Sequence, residues 1–150
     1  MCVLFSTTGS ADTVNHSGDI LADEAWQATD VHRITGPVRV AEGTTLSIEP
    51  GAVVKFNWQF NLKVEGTLKA QGTSQAPILF TADQDDTGHD GILGTDDDDD
   101  TNGNGPSEGL GGAWGSLILS PTSSDVVIEH AEFRHAGGWN QVPTVHVQGG

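Results

Sequence analysis

Residues Gly43–Phe56 read GTTLSIEPGAVVKF. Leu46 and Ile48 make one short alternating apolar pair and Val54 and Phe56 another, with Glu49-Pro50-Gly51 between them. Each pair predicts a strand of about three or four residues whose alternate side chains share a face. Pro50 cannot donate to a ladder and Gly51 tolerates a positive φ, so the chain bends there. Strands this short cannot stand alone, and they need neighbours of the same kind above and below.

Such neighbours recur along the chain. Val38 and Val40, Leu46 and Ile48, then Val54 and Phe56 make one cycle; Leu62 and Val64, Leu68 and Ala70, then Ile78 and Phe80 make the next. Val38 and Leu62 are 24 residues apart, Leu46 and Leu68 are 22 apart, and Val54 and Ile78 are 24 apart. A third cycle reads Leu117 and Leu119, Val126 and Ile128, Ala131 and Phe133, and a fourth begins at Val145 and Val147. Leu117 lies 55 residues beyond Leu62, an excess of 31 over one cycle, and the stretch Asp83–Ala113 is 31 residues long. Three strands per cycle, each cycle one coil stacked on the last, predict an all-β single-stranded right-handed parallel β-helix of about three to four coils, with residues 83–113 inserted in it. An antiparallel sandwich shares the short strands and Gly/Pro turns. It explains neither the agreeing offsets nor the single break.

The chain has 150 residues, enough for one domain with a substantial core. Its 21 acidic residues against 6 Lys and Arg give a formal charge of −15, which excludes nucleic acid and anionic membrane surfaces as partners, since both need a positive face. No stretch approaches the roughly 20 apolar residues of a membrane span. With Cys2 as its one cysteine the chain forms no internal disulfide. Residues 1–15 read as a loose leader or the tail of a signal peptide. Residues 16–33, anchored by Trp26, read as a cap over the first coil, whose open edge would otherwise pair with other chains. Residues 34–150 are then the β-helix. Its last cycle stops at Gly149-Gly150, so a monomer or part of a longer chain is expected.

SGDILADEAW, TGPVRVAEGTTLSIEPGAVVKF, LKVEGTLKAQGTSQAPILFTA and AWGSLIL together resemble the secreted and cell-surface right-handed parallel β-helix proteins of bacteria and archaea, the pectate-lyase-like superfold. The resemblance covers about Gly18 to Gly138 and implies an extracellular or cell-surface location. It is specific to fold more than to function, because this architecture carries adhesins, surface-layer components, lyases and carbohydrate-binding stalks.

The insertion concentrates charge. Between Asp83 and Glu108 lie ten acidic residues, including Asp96 to Asp100 in a row, and no Lys or Arg. Adjacent aspartates repel, so the loop stays extended unless a cation gathers it. Asp98-Asp99-Asp100-Thr101-Asn102-Gly103 fits the opening of an oxygen-ligand Ca²⁺ loop, and a second register starts at Asp100, with Asn102 and Asn104 following and Glu108 ninth. Neither register has the bidentate Glu of a regulated sensor, so the expected cofactor is a structural Ca²⁺ held by Asp96, Asp98, Asp100, Asn102, Asn104 and Glu108. A solvated acidic loop is the competing reading.

Stacking the coils also tests for catalysis. The outward columns read Arg39, Lys63, Ile118, His146; then Ser47, Lys69, Val127; then Lys55, Leu79, Glu132. None gathers carboxylates or sets a base opposite acids, as lyases and glycosidases require, so no catalytic residues are assigned. His130 and His135 are expected at bends flanking Ala131 and Phe133, with Glu132 and Arg134 facing water. Trp58 and Trp139 follow the third strand of their coils and are candidate glycan contacts, while Trp114 anchors the return from the acidic loop. The expected function is a non-catalytic extracellular structural or adhesion module, with a polysaccharide or cell-surface partner. Part of a polysaccharide lyase or glycoside hydrolase is the alternative.

Overall fold

The structure, a computed structural model, describes residues 11–138 and 143–149. Every ladder between the described strands is parallel, and each strand pairs with one lying a coil away in sequence. This is the pairing of a parallel β-helix. Among the described residues no helix is long and apolar enough to cross a membrane.

The strands are β1 (Asp12–Ile20), β2 (Glu24–Trp26), β3 (Asp30–Val40), β4 (Thr45–Ile48), β5 (Val53–Phe56), β6 (Leu62–Val64), β7 (Thr67–Gln71), β8 (Ile78–Ala82), β9 (Leu117–Leu119), β10 (Val127–Glu129), β11 (Ala131–Phe133) and β12 (Val145–Val147). They form three stacks. The C-terminal half of β3 carries β6, β9 and β12; β2, β4, β7 and β10 form the second stack; the N-terminal half of β3 carries β5, β8 and β11. β3 turns the corner between the first and third stacks at Thr35-Gly36-Pro37, so both belong to one sheet.

The core is a column. Val38 stands over Leu62 and Leu117, and Leu46 over Leu68, each with essentially no exposure. Burying each such side chain stabilises the coil by about 1.5–3 kcal/mol. Aromatic rings thread the same column: Phe56 stacks on Trp114 with centroids 4.0 Å apart, and Phe80 on Phe133 at 4.8 Å. Gly51, at φ 86°, makes the bend expected between β4 and β5.

Two expectations are corrected. Val54 pairs with Phe80 and Phe56 with Ala82, an offset of 26, so Val54 does not sit over Ile78. Across the bend after β7 the offset between coils grows from 22 to 26, two residues more than the apolar pattern implies. A slip of two leaves the same side chains facing inward, which is why the pattern does not reveal it. Residues 16–33 are also more than a cap. β1 begins at Asp12, inside the expected leader, and pairs with β3 from Asp12↔Asp30 to Ile20↔Val40. β2 pairs with β4, placing Trp26 beside Ile48 at 1% exposure. The segment is therefore a coil of the solenoid. Trp26 stacks on His32, with centroids 5.1 Å apart, and His16 lies against both.

Candidate functional site

On the outside of the β3–β5–β8 stack two rows of side chains run along the axis. Val31, Val53 and Leu79 form one; Arg33, Lys55 and Thr81 form the other. Lys55 thus stands beside Thr81, and Leu79 beside Val53, correcting the column that placed Leu79 next to Lys55. Side chains pointing out from a sheet ordinarily meet water. Here Lys55 and Thr81 are fully buried, because the insertion folds back over them.

The expectation that no column sets a base opposite acids is overturned at this point. Lys55 Nζ lies 3.1 Å from Asp86 Oδ1 and 2.5 Å from Asp99 Oδ1, and it donates to the Asp99 carbonyl at 2.6 Å. The side chains of Lys55 and Asp86 are both 1% exposed. Asp86 is itself fixed, its Oδ2 accepting from Ser107 N at 3.0 Å. Burial pushes the Asp99 carboxyl up to about 6; Lys55 opposes the rise, while Asp86 and Asp85 add to it. One coil below, Arg33 grips Asp83 through both carboxylate oxygens, a bidentate pairing. The loop is gathered by cations of the solenoid's own outer face.

Arg134 completes the clamp. It does not face water as expected, because its guanidinium donates to the carbonyls of Gly88 at 2.8 Å and His89 at 2.7 Å as well as to Glu132 at 2.6 Å. Asp85, buried under the loop, accepts from Thr81 and Thr87 hydroxyls and lies 3.5 Å from His135 Nε2. Burial works to raise its carboxyl, and the bonds from His135, Thr81 and Thr87 overcome that and hold it well below the usual carboxylate range. His130 and His135 do sit at bends, both with positive φ (45° and 58°).

The expected Ca²⁺ ligands occupy several places. Asp98 accepts from Gly94 N at 2.6 Å. Asp100 accepts from the amides of Gly103, Asn104 and Gly105. Asn102 accepts from Asn104 N and donates to the Asp83 carbonyl. Asp96 lines a trough of about 520 Å³ between the loop and Val31 and Val53, whereas Glu108 opens on the side of Arg134 and His135. Among the described residues no three His, Cys, Asp or Glu are grouped so as to hold a metal ion. The bonds of Asp98 and Asp100 to these amides cap the loop's own turns.

Two clefts flank the loop. Trp58, 47% exposed, stands with Asn57, Gln84, Asn102 and Asn104 around about 130 Å³. On the other side, Glu108, Glu132, Asp90, Arg134 and His135 line about 420 Å³. Trp139, the other aromatic expected to meet glycans, lies outside the described residues. Trp114 anchors the return as expected: fully buried, it donates from Nε1 to the Arg134 carbonyl at 2.7 Å. Next to it, a Cβ on Gly115 would fall 2.0 Å from Asn61 Oδ1, the atom that accepts from Ser116 N. The Trp-Gly pair therefore lets the chain rejoin the column.

Sequence reasoning missed Arg33 and Lys55 as the cations that Asp83 and Asp86 gather around. A signal was there: Arg33 and Lys55 are outward cations on successive coils, on the face from which a ten-acid insertion departs. Searching the acidic loop for an external cation hid them.

A family model described as a pectate-lyase-like beta helix domain matches residues 18–104. No curated protein and no solved structure matched the chain. With its parallel stacked coils and a family match over more than half its length, the chain belongs to the pectate-lyase-like β-helix domain family.

Proposed function

We propose that the chain is a non-catalytic structural or adhesion module, outside the cell or on its surface, whose solenoid holds a glycan-contacting edge. The observation that carries this is the Trp58 cleft. A half-exposed indole beside Asn57, Gln84, Asn102 and Asn104 suits a sugar ring, whose C–H groups pack on the aromatic while its hydroxyls exchange hydrogen bonds with polar groups of the cleft. Asn102 is tied to the Asp83 carbonyl, so the clamped insertion supplies half of the cleft. Retention on a panel of insoluble polysaccharides is the test. The wild-type chain should be retained on at least one and Trp58→Ala released from it, with no soluble sugar produced. Equal retention of both forms would remove the site.

A second reading, part of a polysaccharide-active enzyme, is favoured by the Asp85–His135 pair beside Glu108 and Glu132. A buried carboxylate holding an imidazole at an open cleft is a general-base arrangement. Product release that His135→Gln abolishes would put this reading first. For the loop, we assign the gathering of its carboxylates to Arg33 and Lys55 and the holding of its backbone to Arg134. Calorimetry with Ca²⁺ should give no heat that Asp98→Ala/Asp100→Ala removes; such a heat would instead assign a structural Ca²⁺ to Asp96, Asp98, Asp100, Asn102, Asn104 and Glu108.

A further inference from the structure

We propose that Lys55 and Asp86 condense to an intramolecular isopeptide bond, covalently fastening the acidic insertion to strand β5. Four features of the cluster support it. The nucleophile is Lys55 Nζ, on a side chain 1% exposed and 3.1 Å from Asp86 Oδ1. The electrophile is the Asp86 carboxyl carbon, on an equally buried side chain. Asp86 Oδ2 accepts from the Ser107 amide at 3.0 Å, a donor placed to receive the negative charge that develops there when nitrogen adds to the carbon, while the Ser107 hydroxyl, 3.3 Å from the same oxygen, donates to the Gln84 carbonyl. The Asp99 carboxylate, with Oδ1 2.5 Å from the same nitrogen, is placed to carry protons. That oxygen is buried and lacks the alignment of a hydrogen bond with any partner. The neighbouring Thr101 Oγ1 is buried and unpartnered too.

The step balances without a co-reactant. An ammonium and a carboxylate give an amide and water. The Nζ–Cγ bond forms and the Cγ–Oδ1 bond breaks. Two of the three ammonium protons leave with Oδ1 as water, relayed by Asp99, which ends as the carboxylate it began as; the third proton remains as the amide N–H. No atom changes oxidation state. In water such a condensation is unfavourable. Two groups held in contact, however, react at effective concentrations of roughly 10⁵–10⁸ M, and the covering loop keeps water from reversing the step. The new bond would join residue 55 to residue 86 and pin the start of the insertion to the solenoid wall.

Intact-mass measurement of the full chain, followed by peptide mapping, tests this. The chain should be lighter than its sequence mass by one water, about 18 Da. Trypsin should leave Lys55 uncut, and fragmentation should show its peptide joined to the one containing Asp86. Lys55→Arg and Asp99→Asn, which keep a cation over Asp86 and a polar side chain over Lys55 respectively, should both return the full sequence mass. A wild-type chain of full sequence mass, cleaved at Lys55, overturns the proposal. So does a water loss that maps to Lys55–Asp99, or to a cyclic imide at Asp90-Gly91.

Discussion

Lys55 has a hydrophobic neighbour on either side in β5, yet it is among the largest fully buried side chains of the molecule. Before any bond to Asp86 forms, its ammonium is tolerable there only because Asp86 and Asp99 meet its charge. Removing one partner of a buried ion pair leaves the others uncompensated, at about 3–5 kcal/mol. Lys55→Met should therefore lower the unfolding free energy by about that much in denaturant titration and release the insertion to rapid amide exchange, a far larger effect than Lys63→Met at a half-exposed pair with Glu65. Gly115 is a second residue decided by contact. Alanine there would place Cβ within 2.0 Å of Asn61 Oδ1, and overpacking of this kind costs about 1–3 kcal/mol. Asn61→Ala in the same chain should recover part of that loss in a thermal melt, because it removes the clashing atom.

At the scale of elements, the first coil contains a pH-sensitive layer. β1 supplies His16, β2 supplies Glu24 and Trp26, and β3 supplies His32, with His16 Nε2 2.9 Å from His32 Nδ1. Burial, and then the neighbouring His32, lower His16 to about 4 despite Glu24; burial lowers His32 as well. An imidazole whose folded pKa lies below its unfolded value of 6.5 takes up protons preferentially on unfolding between about 4 and 6.5. Its contribution is intact above 6.5 and is lost as the pH falls towards 4. Asp99 acts in the opposite sense, since its raised carboxyl costs stability as pH rises from 3.8 through about 6. The melting temperature should fall between pH 7 and pH 5, and His16→Gln/His32→Gln should flatten that fall. An unchanged slope in the double variant would remove the layer as its source. The strand pairs themselves were legible as alternating apolar residues, including Leu46 over Leu68. The two-residue slip between β5 and β8 was not, because period-two patterning is blind to even shifts.

For the whole molecule, the insertion acts as a cover bolted to one wall of the solenoid. Beneath it lie the apolar row Val31, Val53 and Leu79, separate from the interior core, and the cations Arg33 and Lys55. Replacing residues 84–112 with a short glycine linker would leave the coils able to stack but would bare that row and both cations. The shortened chain should melt lower and bind a hydrophobic dye that the full chain does not; an unchanged melt would show that the cover adds nothing. The solenoid and the anchoring role of Trp114 followed from the amino-acid order alone, because stacking repeats one local pattern and repetition is visible in one dimension. The gathering of the acidic loop was decided only in three dimensions. Lys55 meets Asp86 and Asp99 across 31 and 44 residues, and a charge pair has no periodicity to mark it: it depends on which wall the returning loop lies against and on how much water that contact expels.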